Sequence, residues 1–297
     1  MAVDQDVTVV IATRNRRERL AATLAHLRAA DAPTPPRVVV VDNGSHDGTP
    51  ATARAAGADV IELGRNLGAP ARTIGVAAAT TPHVAFCDDD SWYAPGALAT
   101  AAAHLHVHPH LALVAARILV GPEERLDPLS AEMAASPLRV PRPLPGPPVL
   151  GFAACGAVVR REAYLQVGGF SPLLFFLGEE RLLAYDLAAA GWDLAYAPDV
   201  VAHHHPAFAA DGDDRARRAR RAQVYRNDLL SDWLRRPVRR ASRATLRLAR
   251  QARHDPAART ALADAARCAP AVLRRRRRLP PGVERAARLL DARPGPG

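Results

Sequence analysis

Val38-Val39-Val40-Val41-Asp42-Asn43-Gly44-Ser45-His46-Asp47-Gly48 runs from four consecutive valines straight into a polar, turn-forming cluster. An uninterrupted β-branched run marks a strand covered on both faces, and the Asn-Gly within the cluster ends it abruptly. The same pattern recurs on either side. Upstream, Val7-Thr8-Val9-Val10-Ile11 is another buried strand, closed by Thr13-Arg14-Asn15, and residues 16–30 place Leu20, Leu24 and Leu27 at helical spacing. Downstream, residues 49–56 read as helix, 60–61 as a short strand, 69–79 as helix, 83–87 as strand and 94–106 as helix. Alternation of this kind predicts an α/β fold with a central, mostly parallel sheet and helices on both faces.

Beyond Gly121 the pattern dissolves. Six prolines fall between Pro137 and Pro148, which predicts an exposed irregular region. Order returns with the small and apolar residues 151–160, a helix over 179–190 and a pair of short strands over 193–202. From Asp211 onward the pattern is helical and rich in arginine. The expected organisation is a domain over 1–210 followed by a basic helical extension over 211–297.

The charge divides at the same place. The 297 residues hold 40 basic residues, all of them Arg, against 30 acids, a net charge of +10. Residues 1–210 hold 16 Arg and 21 acids, a net of −5, whereas residues 211–297 hold 24 Arg and 9 acids, a net of +15. An evenly basic nucleic-acid-binding protein is therefore the wrong class. Cys87, Cys155 and Cys268 are odd in number and lack paired spacing, which points to reduced thiols in a cytoplasmic setting. We expect no secretory leader, because Val7 to Ala12 is too short for its apolar core, and no spanning helix.

In open α/β sheets, ligands bind outside the carboxyl ends of the strands. Four polar clusters sit there: Thr13-Arg14-Asn15, Asp42 to Gly48, Arg65-Asn66-Leu67-Gly68 with Arg72 a turn later, and Asp88-Asp89-Asp90. Three successive carboxylates repel one another unless a cation or a set of donors offsets them. In extended backbone Asp88 and Asp90 share a face, which suits a hard divalent ion such as Mg2+ or Mn2+. A solvated acidic turn capping the next helix is the competing reading. Asp42 fits a contact to ribose or base, or equally an Asx turn. Arg14 and Arg72 are of the type that neutralises phosphate.

Val9 to Arg16, Val40 to Thr49, Arg65 to Gly68 and Asp88-Asp89-Asp90 together resemble the family 2 glycosyltransferases. The resemblance continues through Gly168-Gly169-Phe170, Gly178-Glu179-Glu180, Gly191-Trp192 and Tyr196-Ala197-Pro198 to His203-His204-His205, so it covers roughly residues 7 to 205. It implies the GT-A fold, a Rossmann-like nucleotide-sugar-binding sandwich. Thr13, Arg14, Asn15, Asp42, Asn66, Arg72 and Asp88 would then line the pocket of a nucleotide-diphosphate sugar. Asp88 and Asp90 would hold the metal on its diphosphate, with His204 favoured over His203 and His205 as a further ligand. Glu179-Glu180 would open the helix under the acceptor, with Glu180 as general base.

A positioned carboxylate suits that task, since a sugar hydroxyl must lose its proton as it attacks the anomeric carbon. Acids in a first helical turn also suit the helix dipole whatever the function. One base and one metal imply a single in-line displacement with inversion. The chain departs from the family pattern at Leu182, where another acid is usual, and at Tyr185 or Asp186, near the place of an Arg. It also lacks the Gln-x-x-Arg-Trp motif of processive members, so a single sugar is expected to be transferred. The acceptor would be a glycan, such as one of the cell envelope, a lipid-linked species or a small molecule.

Rival readings are a GT-A-like binding protein without catalysis and a protein acting on nucleic acid through its Arg-rich tail. For that tail, Arg215 to Arg221 and Arg274 to Arg278 being its densest runs, three roles compete. They are a solvated appendage, peripheral contact with anionic lipid at the inner face of a membrane, and phosphate binding on nucleic acid. The last is the weakest, because the tail offers few aromatics for stacking.

Overall fold

The computed structural model describes residues 6–31, 33–206 and 214–292. In chain order the elements are β1 (Val7–Thr13), α1 (Arg17–Ala30), β2 (Arg37–Asp42), α2 (Thr49–Ala55), β3 (Asp59–Glu62), α3 (Ala71–Ala78), β4 (His83–Cys87) and β5 (Ser91–Tyr93). Then come α4 (Ala97–Val107), β6 (Leu111–Val120), β7 (Arg125–Leu126), α5 (Pro128–Ala134), a 3-10 turn (Ala154–Gly156), β8 (Ala157–Arg160) and α6 (Arg161–Gln166). The chain continues through α7 (Glu179–Ala189), β9 (Asp193–His204), α8 (Asp214–Arg235), α9 (Val238–Gln251), α10 (Pro256–Arg275) and α11 (Pro281–Asp291). Residues 211–213 and 293–297 of the expected extension lie outside the described residues.

The strands form one sheet in the order β3-β2-β1-β4-β8-β6-β9-β5, with β7 paired to β6. The valine runs behave as their composition requires. Val9 and Ile11 point into one core with Leu20, Leu24 and Leu27 of α1 and Leu98 and Leu105 of α4. Val10, between them, points into the opposite core with Val76 of α3, Phe86, Tyr164 and Leu187. This is the period of two read through a sheet buried on both faces. On the second face α3 comes unusually close. A Cβ on Gly75 would meet Val10 Cγ1 at 2.6 Å and Val41 Cγ2 at 3.0 Å.

Strands β1 to β4 are mutually parallel, as expected, but β8 runs antiparallel to both β4 and β6, and β5 antiparallel to β9. The sheet is therefore parallel in its N-terminal half and mixed beyond. Two elements differ from their sequence readings. The expected pair of short strands over 193–202 is one strand, β9, whose pairing to β6 jumps from Ala197 to Val201. Pro198 lies in the skipped stretch, and proline has no N–H to donate to a ladder. The expected irregular region after Gly121 contains β7 and α5. Asp127 caps that helix by accepting the Leu129 N–H at 2.8 Å, with Pro128 in its first turn.

The C-terminal helices pack on α7. Leu174 and Leu182 lie in one apolar cluster with Leu229, Leu230 and Leu234 of α8, Leu248 of α9 and Ala258, Ala261 and Ala265 of α10. A second cluster joins Tyr185 of α7 to Leu138, Leu150, Leu279 and Ala287.

Candidate functional site

The chain travels outward from β1 to β2 and β3, then returns to the other side of β1 as β4. A crevice opens at such a reversal, beyond the strand ends. Register places Thr13 opposite Asp42 and Ile11 opposite Cys87, so the ends of β1, β2 and β4 lie nearly level. Thr13 Oγ1 donates to Asp89 Oδ2 at 2.6 Å, and Thr23 Oγ1 of α1 donates to the Asp89 backbone carbonyl at 2.9 Å. The middle carboxylate of the triplet is thus turned towards β1 and α1. Burial pushes its pKa up to about 6, with the charges of Asp90 and Asp88 adding to the rise and the Thr13 hydrogen bond opposing it.

Asp88 and Asp90 have partners of their own. Asp88 pairs with the guanidinium of Arg72, which is 4% exposed. Asp90 Oδ1 lies 3.4 Å from His204 Nε2, and its Oδ2 lies 3.4 Å from Arg19 Nη1. Strand pairing decides which histidine arrives here. His204 stands opposite Ser91 and His203 opposite Trp92, while the His205 N–H donates to the Asp90 carbonyl at 2.8 Å. Because side chains alternate along β9, His203 and His205 fall on the other face around Trp92. There His26 stacks on the Trp92 ring at 4.0 Å, with His203 and His205 at 5.5 and 4.8 Å. Burial works against charge on His204, but the hydrogen bond and charge of Asp90, with Asp88 and Asp127, more than offset it and raise its pKa.

Cys155, which the sequence reading left without a role, comes to the same place. The ligating atoms of Asp88, His204 and Cys155 lie within 4.8 Å of one another. Carboxylate, imidazole and thiol facing one space, with Asp90 beside them, are a donor set that fits a divalent cation. Sequence spacing does not show this, because β4, β9 and the 3-10 turn meet only in the folded sheet.

The second carboxylate group is at the start of α7. Glu179 is 2% exposed and its Oε2 has no hydrogen-bond partner among the described residues, while Glu180 is half-buried. Burial lifts the Glu179 pKa to about 8, helped by the charge of Glu180 and opposed by Arg72. Burial also raises Glu180, against the pull of its own backbone N–H, of Arg72 and of the Ala154 N–H. Burial works against the charge of Arg72, but Asp88, Glu179 and Glu180 hold its pKa above the ordinary value. One buried arginine is therefore the shared counter-charge of both carboxylate groups.

On the donor side, the polar residues shape their loops. Asp42 is buried, and its Oδ2 accepts the N–H groups of Gly44 and Ser45 at 3.1 and 2.9 Å, the Asx turn anticipated above. Its Oδ1 is buried with no hydrogen-bond partner among the described residues. Asn15, at φ 54°, accepts the His46 N–H at 2.8 Å, and its own N–H donates to Ser45 Oγ at 2.8 Å. Asn66 closes its turn by accepting the Gly68 N–H at 2.9 Å, and exposed Arg14 reaches the Gly44 carbonyl at 3.5 Å. Asn43, not singled out from the sequence, accepts the Leu67 N–H at 3.0 Å and so joins the second cluster to the third. A cleft of about 470 Å³ lined by Asn15, Arg16, Arg17, Glu18, Arg19 and Asp47 opens beside these loops.

Comparison with known proteins identifies the family and the fold. A sequence profile described as glycosyl transferase family 2 matches residues 8–168. The pre-mycofactocin glycosyltransferase of Mycobacterium tuberculosis is 33% identical over 211 residues, 68% of this chain and 43% of that protein. The chain thus spans less than half the length of this relative. The N-acetylglucosaminyl-diphospho-decaprenol L-rhamnosyltransferase of the same organism is 33% identical over 104 residues, 34% of each chain. Among solved structures, the mannosyltransferase PcManGT from Pyrobaculum calidifontis, in complex with GDP-Man and Mn2+, matches 96% of this chain and 78% of its own. Its TM-score is 0.58 at 22% identity. That likeness shows the fold, which is the GT-A arrangement with a helical C-terminal region.

Proposed function

The chain belongs to glycosyl transferase family 2, and from that premise we propose that it moves one sugar from a nucleotide-diphosphate sugar to an acceptor hydroxyl with inversion. The observation that supports this most directly is Arg72, which is buried, pairs with the Asp88 carboxylate and is also held charged by Glu179 and Glu180. This common counter-charge supports reading the Asp88 carboxylate and the candidate base as parts of one site. Thr13, Arg14, Asn15, Asp42, Asn66 and Arg72 line the donor side, where the unpartnered Asp42 Oδ1 is available to a ribose hydroxyl or base N–H. Asp88, Asp90 and His204 would hold Mg2+ or Mn2+, with the Cys155 thiol lining the same space. A bound divalent ion supplies electrostatic stabilisation of the leaving diphosphate.

The acceptor hydroxyl gives up its proton to Glu180 as its oxygen attacks the anomeric carbon and the bond to the diphosphate breaks. The raised pKa of Glu180 makes it a stronger base than an ordinary carboxylate. Glu179, with a pKa of about 8, is mostly neutral at neutral pH and so adds little charge beside Glu180. Glu180→Gln is expected to slow turnover by about 10²–10⁴-fold with donor binding retained. Unchanged turnover would remove Glu180 as base.

The donor base is read by a thermal-shift screen of UDP, GDP, dTDP and ADP, each with Mn2+ or with EDTA. A diphosphate present at about 100 times its Kd adds about 2.7 kcal/mol of stability. Metal-independent binding and turnover would sink the role given to Asp88, Asp90 and His204. The relatives' names support glycan or lipid-linked acceptors, and the proposal also includes small molecules.

No helix among the described residues is long and apolar enough to cross a membrane. The exposed face of α9 presents Arg239, Arg243, Arg247 and Arg250 with Val238 and Leu246. This mixture suits an anionic lipid surface. Co-sedimentation with anionic but not neutral vesicles, weakened by salt, is the expected result.

A further inference from the structure

We infer that Asn227 on α8 is a positioning residue for the Glu179–Glu180 pair, so that the C-terminal helices take part in forming the active site. This rests on the reading of Glu180 as the base.

The chain enters α7 by an unusual route. Leu177 has φ 71° and Gly178 φ 84°, two successive left-handed residues directly before Glu179. Glycine adopts that conformation freely, but for leucine it is strained and persists only where the surroundings hold it. What holds it comes from α8. The Asn227 Nδ2 group donates to the Phe176 and Leu177 carbonyls, each at 2.7 Å. Gln223 Nε2 donates to the same Phe176 carbonyl at 3.0 Å, and Arg226 Nη1 donates to the Leu173 carbonyl at 3.1 Å.

Asn227 is 1% exposed, so its donors have no solvent to compete for them. Its Oδ1 accepts from Arg226 Nη1 at 2.8 Å, which fixes the amide with its N–H groups towards the two carbonyls. One residue further along α8, Asp228 Oδ1 pairs with Arg181 Nη2 at 2.8 Å, so α7 is gripped just beyond Glu180 as well.

The same segment touches the donor side. The Phe175 carbonyl accepts the Ala69 N–H at 2.7 Å, and Gly68 lies so close that a Cβ there would overlap the Phe175 carbonyl oxygen. Residues 173–178 are therefore clamped between the donor turn and α8, and the carboxylate pair hangs from their C-terminal end. Releasing the α8 side frees Leu177 to relax towards an ordinary conformation and swings the first turn of α7. A displacement of about 1 Å at a reacting group can cost about 10²-fold in rate.

The test uses the full chain. Asn227→Leu keeps the volume and removes both donors, Asn227→Asp keeps the shape and sets a carboxylate against two carbonyls, and Gln223→Ala acts from a half-buried position outside the apolar clusters. Release of nucleoside diphosphate from GDP-mannose and UDP-N-acetylglucosamine gives kcat and donor KM. Hydrogen exchange of the 173–182 amides needs no turnover.

The expected result is a kcat lowered about 10–100-fold in both Asn227 variants, donor KM within about threefold, and faster exchange confined to 173–182. A smaller loss of kcat in the same direction is expected for Gln223→Ala. Three results would each overturn the inference: unchanged kcat in a folded Asn227 variant, donor KM rising in step with the loss of rate, or unchanged exchange over 173–182. If Glu180→Gln keeps full turnover the base assignment fails. If Glu180→Gln is inactive while Asn227→Leu is not, the positioning role alone fails.

Discussion

At Glu179 a carboxyl sits where ionisation is costly. It is buried, beside another carboxylate, with one oxygen lacking a partner, and its pKa of about 8 reflects burial first and the charge of Glu180 second. The folded chain therefore holds this proton more tightly than the unfolded chain does. The stability linked to it is complete below the ordinary value of 4.5 and is lost as pH rises through about 8. Glu179→Gln, neutral throughout, is expected to match the wild type near pH 4.5 and to exceed it by on the order of 4 kcal/mol at about pH 8.5. Urea unfolding at the two pH values measures this. Parallel pH dependences would mean that Glu179 is already ionised in the folded protein. Gly68 makes a second, steric case. It combines φ 67° with no room for a Cβ, so Gly68→Ala is expected to cost at least about 2 kcal/mol and to displace the Phe175 segment. A variant as stable as wild type would show that the segment yields freely.

Helix α7 shows how far the elements were legible in the sequence and where legibility stopped. The buried strands β1, β2 and β4 announce themselves because valine and isoleucine runs ending in polar turns have few other readings. Glu179 and Glu180 were likewise visible as acids opening a helix. Strand β6 was missed because Leu-Ala-Leu-Val-Ala-Ala alternates nothing and suits either a buried strand or a helix. Helix α5 was hidden among prolines, although Asp127-Pro128 is the cap that begins it. The positions where α7 departs from the family pattern have their explanation in packing that no local window contains. Leu182 is buried against Leu229 and Leu230, Asp186 Oδ2 accepts from Arg235 Nη2 at 2.8 Å, and the Tyr185 hydroxyl accepts from Arg236 Nη1 at 3.2 Å. The face of α7 that departs is the face the C-terminal helices cover. Restoring the usual acid with Leu182→Asp would bury an unpaired charge in that cluster and is expected to cost more than about 3 kcal/mol. Leu182→Ala is expected to cost about 2–4 kcal/mol. Denaturant midpoints check both, and a soluble, stable Leu182→Asp protein would refute the packing explanation.

For the molecule as a whole, the division between an acidic body and a basic tail is one of charge and not of packing. Several arginines of the tail are spent inside the fold. Arg236 is 1% exposed at its side chain, with Nε 2.8 Å from Glu284 Oε2 and Nη2 2.7 Å from Asp291 Oδ2, and it ties the α8–α9 junction to α11 while reaching Tyr185. Removing one partner from such a set strands the other charge in a poor dielectric, which typically costs about 3–5 kcal/mol. Replacing both ends with apolar groups costs far less. Arg236→Met is therefore expected to be severely destabilised, and Arg236→Met with Glu284→Leu to recover most of the loss, a non-additivity read directly from a double-mutant cycle. Additive losses would mean that the pair is not coupled. By the same logic a chain ending at residue 206 would expose Leu174 and Leu182, leave Arg181 without Asp228, and release the carbonyls before Glu179. Such a truncation is expected to bind a hydrophobic dye and to lose turnover. A truncated chain that stays folded and active would show that the helices after residue 213 are an appendage after all.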